Sequence, residues 1–389
     1  MSSLKIDPAY TTHLLAQLVQ INSINPSLVP GAPGEAAIAE FVAETLRGLG
    51  LAVTMGEVEP GRWNVIGRLR GRGSGPSLML NAHMDTVGVD GMTIDPFGGE
   101  VRDGRLYGRG SQDMKGSLAA MIAAAKALVD GGIELGGDLI IAAVADEEYA
   151  SIGTEDLVKH PEYRTAAAIV TEPTDMVICR AHRGFIWFNV DTFGRAAHGS
   201  RFTEGVDANM RMGRFLARLD KLEQELRGRS PHPLAGPPSL HAATLQGGAE
   251  MSVYAAYCRL QVERRTIPGE TVAQAASELQ AILDELKAED KTFRGEVRPF
   301  FHREPFEVDK NAAIVQALMA ASAKRMGMPP IHAGQTFWTD AAILADAGIE
   351  TVLIGPVGAG LHSAEEWVDI QSVVDLAGVL AETAVRYCR

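Results

Sequence analysis

Short, unbroken apolar runs recur along the chain: SLMLNAH (77–83), DLIIAAVA (138–145), AAAIVT (166–171) and ETVLIG (350–355). Continuous rather than alternating apolar character suits strands of a sheet covered on both faces. Helical patterns lie between them, notably GSLAAMIAAAKALV (116–129) and NAAIVQALMAASAKRMG (311–327). Strand and helix in alternation predict an α/β domain.

The middle of the chain has a different rhythm. From about 184 to 300 the pattern predicts a strand (FIWFNVDTF), a helix, two strands (LHAATLQ and VYAAYCRLQV), a second helix and a last strand (FRGEVRPF). That order, β-α-β-β-α-β, is a ferredoxin-like unit. Val206, Met212, Phe215, Leu219, Leu222 and Leu226 fall on one helical face, as do Val272, Ala276, Leu279, Leu283 and Leu286; such stripes are core. Cys258, Leu260 and Val262 alternate with Arg259, Gln261 and Glu263, as a sheet with one solvated face requires. The predicted architecture is an α/β domain (1–182 and 301–389) interrupted by a smaller inserted domain (183–300). The length, 389 residues, agrees, since single cores stop growing at roughly 250–300 residues.

Charge and composition narrow the function. A formal net charge of −13 leaves no basic surplus to neutralise phosphates, so nucleic acid is not an expected partner. The opening stretch MSSLKIDPAYTTHLLAQLVQI lacks the basic start, apolar core and cleavage site of a secretory signal. SLAAMIAAAKALV, the longest apolar run, is interrupted by Lys126 and falls short of the about 20 residues a bilayer span needs. A cytoplasmic protein without membrane contact is expected. Its cysteines, Cys179, Cys258 and Cys388, are isolated and suggest neither disulfides nor a thiolate metal cluster.

Candidate chemistry sits where the apolar strands end. SLMLNA runs into His83 and Asp85, and DLIIAAVA into Asp146, Glu147 and Glu148. AAAIVT runs into Glu172 and VLIGPVGAGL into His362, while the turn GRGSQD reaches Asp113 just before a helix. In open α/β sheets, sites assemble beyond the carboxyl ends of the strands. Carboxylates and imidazoles converging there without a basic partner are best neutralised by divalent metal. Gly108 and Gly110 do not complete a dinucleotide fingerprint and nothing fits a P-loop, so nucleotide binding is not expected.

The segments NAHMDTV (81–87), GRGSQDMKG (108–116), DEE (146–148), TEPTD (171–175) and GLHSAEE (360–366) resemble, in order and spacing, the successive motifs of the M20 metallopeptidase family. That family includes acetylornithine deacetylase, succinyl-diaminopimelate desuccinylase, aminoacylase and glutamate carboxypeptidase. The resemblance spans about residue 10 to the end. It implies a zinc-dependent exopeptidase-like α/β catalytic domain carrying an inserted ferredoxin-like lid or dimerisation domain, and a homodimer. It also implies two zinc ions per subunit, with cobalt or manganese as possible substitutes. His83 and Glu172 would hold one ion, Glu148 and His362 the other, with Asp113 bridging. Asp85, two residues from His83, is placed to accept that ligand's other ring N–H through its carboxylate. Glu147, pointing away from Glu148 on an extended backbone, would be the general base that takes a proton from the attacking water and delivers it to the leaving nitrogen.

In the inserted domain, His198 of GRAAHGS matches a family histidine that reaches across the dimer and stabilises the oxyanion. ERRTIPGE (263–270) resembles the family's D-x-R-x-x-P-G pattern and places Arg265 where a substrate carboxylate is held, with Glu263 in place of the usual Asp. Ser252 stands where many relatives carry a substrate-holding asparagine. TFWTDAA (336–342) places Thr339 and Asp340 as pocket-lining residues. The expected activity is deacylation of an N-acyl amino acid. The alternatives are a metallo-carboxypeptidase or dipeptidase acting on short peptides, and a non-catalytic metal-binding relative.

Overall fold

The computed structural model describes residues 4–389 and divides into two compact units. Three residues of the opening segment read for a signal therefore lie outside the described part. One unit comprises the chain to Arg180 with Val308–Ala333 and Thr339–Arg389; the other comprises Ala181–Glu307 and Gly334–Trp338.

The larger unit is built on a mixed sheet. Its strands run in the order Ala52–Glu59, Arg62–Leu69, Leu139–Val144, Leu78–His83, Ala167–Val170 and Glu350–Leu353. The last four of these are mutually parallel. Leu78–His83 and Leu139–Val144 are buried along their whole length, which is why they read as unbroken apolar runs. The helix Gly116–Asp130 is also buried on nearly every side, and its alanines let it pack closely with Ile370–Tyr387. Because the parallel strands share one direction, His83 and the turn after Val144 emerge at the same edge of the sheet.

The hairpin Ala52–Leu69 was not among the predicted strands. Its first strand is largely exposed, and the charged residues Glu57, Glu59, Arg62 and Arg68 break the apolar signal.

The smaller unit has four antiparallel strands in the order Ser239–Gly247, Tyr257–Thr266, Gly184–Phe193, Gly295–Arg303. Helices Ala208–Arg227 and Val272–Glu289 contribute to one core with Ile186, Phe188, Val190, Leu260 and Val262. This is the ferredoxin-like arrangement. Two details differ from the sequence reading. The third strand starts at Tyr257, because the residues before it pair with the loop holding His198: Tyr254 N–H donates to Ala197 O at 3.0 Å. The unit also extends beyond 300, because Phe306–Glu307 pairs with Ala181 and His182, and Trp338 Nε1 donates to Glu304 O. Among the described residues no helix is long and apolar enough to cross a membrane.

Candidate metal centre

The sequence-predicted ligands His83, Asp113, Glu148, Glu172 and His362 come together in the larger unit. Asp113 lies in the irregular turn Ser111–Lys115 and presents one oxygen to each histidine. His83 Nε2 lies 3.1 Å from Asp113 Oδ1, and His362 Nε2 lies 3.4 Å from Asp113 Oδ2. Around His83 stand Glu172 Oε1 at 3.9 Å and Glu147 Oε2 at 4.0 Å. Around His362 stands Glu148 Oε2 at 3.1 Å. His362 adopts a left-handed backbone, two residues after Gly360, whose φ of +93° and close approach to Glu365 leave no room for a Cβ.

The charge balance of this cluster is unresolved by protein alone. Burial alone would lower the pKa of His83, yet hydrogen bonding to Asp113 and the charges of Glu172, Asp85 and Glu147 hold it well above the usual value. His362 is pushed up to about 10, chiefly by Asp113 and Glu148. Burial would raise the Asp113 carboxyl, but hydrogen bonds and charge from these two imidazoles hold it below its usual value. Burial and then the Glu172 charge hold the Glu147 carboxyl well above the usual range. Burial and Asp113 push Glu148 up to about 7, and burial, with Asp113 and Glu148, raises Glu172. Such opposed shifts are what a carboxylate cluster shows when no cation neutralises it.

The residues fit a divalent cation. His83, Glu147 and Glu172 each offer an atom within 4.8 Å of the others, and so do His83, Asp113 and Glu148. Glu148 Oε1 and Glu172 Oε1 are buried without a hydrogen-bond donor. Imidazole nitrogen and carboxylate oxygen are ligands suited to zinc.

Around the ligands the structure departs from several expectations. Asp85 meets His83 Nδ1 through its backbone carbonyl at 2.9 Å, whereas its carboxylate Oδ1 stands 3.6 Å away. That carboxylate instead accepts the N–H groups of Glu147 (3.1 Å) and Glu148 (3.2 Å) and the amide of Asn25 (2.7 Å). The segment after Val144 is not extended either. Asp146 takes a left-handed conformation with φ 68°, and a turn follows in which Ala150 and Ser151 donate to Asp146 O. The turn, rather than strand alternation, separates Glu147 from Glu148. Thr339 is fully buried, its hydroxyl accepting from Ala341 N–H, and so does not line an open pocket. Asp340 is buried too and accepts from Thr154 Oγ1 at 2.6 Å, with its carboxyl raised to about 6, first by burial.

The remaining predicted site residues belong to the smaller unit. His198 is exposed, its Nδ1 2.8 Å from Ser200 Oγ. Ser252 is beside it, its carbonyl accepting from Gly199 N–H at 2.7 Å. Arg265 pairs with Glu263, which also accepts from Trp187 Nε1 at 2.9 Å, so the substituted acid already occupies one side of the guanidinium.

Residues the sequence reading missed hold the site from behind. Arg62 forks onto Glu35 at 2.6 Å and reaches Asp146 at 2.8 Å, and Asn25 bridges Asp146 and Asp85. Glu366 accepts main-chain N–H groups of the Asp113 turn. The sequence marked Asn25 only by the polar stretch NSINPS and Glu366 only as the second acid of AEE.

Comparison with known proteins adds the decisive observation: the sequence model of peptidase family M20/M25/M40 matches residues 79–386. The chain belongs to that family. It is accordingly a hydrolase of amide bonds, in a metal-dependent family. It is 32% identical to N-formyl-4-amino-5-aminomethyl-2-methylpyrimidine deformylase of Bacillus subtilis, over 92% of this chain and 91% of that protein. It is 30% identical to acetylornithine deacetylase of Myxococcus xanthus, over 84% of each. The fold matches a dinuclear metal-binding M20 peptidase of Bacillus subtilis with a TM-score of 0.75 at 17% identity, covering 97% of this chain and 98% of the other.

Proposed function

We propose that this protein is a dinuclear zinc amidohydrolase that removes the acyl group of an N-acyl amino acid, with Glu147 as general base. One observation carries the reading: the two oxygens of Asp113 face two histidines, each of which has a further carboxylate beside it. A carboxylate so placed suits a bridge between two ions. His83 and Glu172 hold one ion, Glu148 and His362 the other, and cobalt or manganese can substitute. Both relatives named above remove a small acyl group, as their names state.

Bound there, two ions supply Lewis acidity toward the amide carbonyl and lower the pKa of water. The protein supplies the rest. Donation from His83 Nδ1 to Asp85 O fixes the tautomer that leaves Nε2 free to ligate. Asp85 holds the Glu147 and Glu148 amides on one carboxylate, which fixes both side chains relative to His83. Glu147 accepts the proton of the attacking water and returns it to the leaving nitrogen. Arg265 holds the substrate carboxylate by its guanidinium fork, and Ser252, in the loop that precedes the strand Tyr257–Thr266, is a separate substrate-binding candidate.

The test is amide hydrolysis by zinc-loaded protein across N-acetyl, N-succinyl and N-formyl amino acids and short peptides, before and after chelation. Cleavage of the acyl amino acids that disappears with chelation and returns with zinc is expected; hydrolysis that survives complete metal removal would sink the proposal. Cleavage confined to peptides would make the enzyme a peptidase instead.

A cytoplasmic homodimer, in which His198 serves the partner's site as oxyanion donor, belongs to the same reading. His198→Ala should then lower kcat without changing bound metal. A monomer that is fully active in solution removes His198 from the mechanism.

A further inference from the structure

The loop that carries His362 also carries Glu366, and that buried side chain takes no part in the ligand set. Its carboxylate is nevertheless surrounded by donors from the Asp113 turn. Oε2 accepts from Arg109 Nη1 at 2.7 Å and Gly110 N–H at 2.9 Å; Oε1 accepts from Gln112 N–H at 2.9 Å and Asp113 N–H at 3.0 Å. Gly108 N–H donates to Glu366 O at 3.0 Å, and Arg109 Nη2 returns to Ser363 O at 3.1 Å. These contacts join segments more than 250 residues apart.

We propose that Glu366 is a positioning residue: a buried carboxylate on which the Asp113 turn is templated, so that the distance between Asp113 and His362 is set by the loop that bears His362. This rests on the dinuclear reading above. The chemistry is specific to an anion. Converging main-chain N–H groups and a guanidinium can all be satisfied by two carboxylate oxygens with about four lone-pair directions between them. An amide in the same place offers one accepting oxygen, and its NH2 would face donors. Gly110 adopts φ 79°, and a Cβ there would lie 2.7 Å from Thr86 Cγ2, so glycine is required where the chain presents its N–H to this acceptor.

The consequence falls unevenly on the two loci. His83 ends the strand Leu78–His83 and Glu172 lies two residues beyond Ala167–Val170, so their locus meets the Glu366 loop only through Asp113. The other locus depends on it twice, through Asp113 and through His362 itself. Removing an outer partner of a metal ligand weakens affinity by about 10–100-fold. Glu366→Gln should therefore weaken the ion at His362 by that factor and the ion at His83 by less, its binding curve lying closer to that of His362→Gln than to that of His83→Gln.

Metal-free protein is titrated with cobalt(II), following absorption and equilibrium dialysis, at a temperature where circular dichroism reports each variant folded. Glu366→Asp, which keeps the charge but withdraws it by one methylene, should show a smaller loss at the same locus, and it carries the test if Glu366→Gln does not fold. Equal weakening of both ions, or no weakening of either, overturns the positioning role. Wild-type protein that binds fewer than two ions overturns the dinuclear reading itself, and with it this inference.

Discussion

Glu147→Gln is expected to lower kcat by about 10²–10⁴-fold, the usual contribution of a positioned acid–base group, while bound metal stays unchanged. The substitution is nearly isosteric and leaves the backbone N–H of residue 147 on Asp85 Oδ1. The expected ligands Asp113, Glu148, Glu172 and the two histidines are untouched. What disappears is the ability of the Oε2 that stands 4.0 Å from His83 Nε2 to carry a proton. Steady-state kinetics paired with elemental analysis check the result. A rate within tenfold of wild type would remove Glu147 as the base, and loss of one ion would make it a ligand instead. Metal-free stability should not fall. Burial and the neighbouring Glu172 already disfavour the Glu147 carboxylate, so a neutral side chain relieves repulsion there.

The place of Glu147 beside His83 was legible in the sequence because the signal is local: an apolar strand ends and acids begin. The same holds for His83 and Glu172, and the parallel strands that deliver them were legible because full burial leaves unbroken apolar runs. The exposed strand Ala52–Glu59 had no such signature. Exposure itself was harder to read. Thr339 and Asp340 have residue types suited to a pocket, but the chain folds them inward, where Asp340 meets Thr154 from 186 residues away. Nor does a residue pattern report which way a neighbour's carboxylate turns. Asp85 and His83 are close in sequence, yet the backbone carbonyl, not the side chain, takes the imidazole proton, because the carboxylate is engaged by Asn25 and by the 147–148 amides. Arg62, Glu35 and Asp146 were illegible for a plainer reason. Arg62 and Asp146 are 84 residues apart and meet only once the hairpin pairs with the strand Leu139–Val144.

Arg62→Met should cost about 3–5 kcal/mol of stability, the range for breaking a buried ion pair by removing one partner. The guanidinium lies 2.6 Å from Glu35 and 2.8 Å from Asp146, and all three side chains are nearly or fully inaccessible. Methionine fills similar volume but leaves two buried carboxylates facing each other, with Asn25 as the remaining side-chain donor to Asp146 and the Asp146 and Ala150 amides as main-chain donors to the pair. Urea unfolding of metal-free protein is the suitable measurement, since ions bound only to the folded state would add stability and mask part of the loss. The double variant Arg62→Met/Glu35→Gln should recover part of the loss, because it removes one of the stranded charges; no recovery would mean that lost packing, not charge, sets the cost. The three consecutive acids at 146–148 are therefore tolerated in two different ways. Asp146 turns back, in a left-handed conformation, onto a permanent internal cation. After that turn Glu147 and Glu148 stand beside His83 and His362, where the proposed ions would neutralise them. Catalytic rate should fall in Arg62→Met as well, but by less than in Glu147→Gln, because the proposed base remains and only the anchorage of its turn is lost.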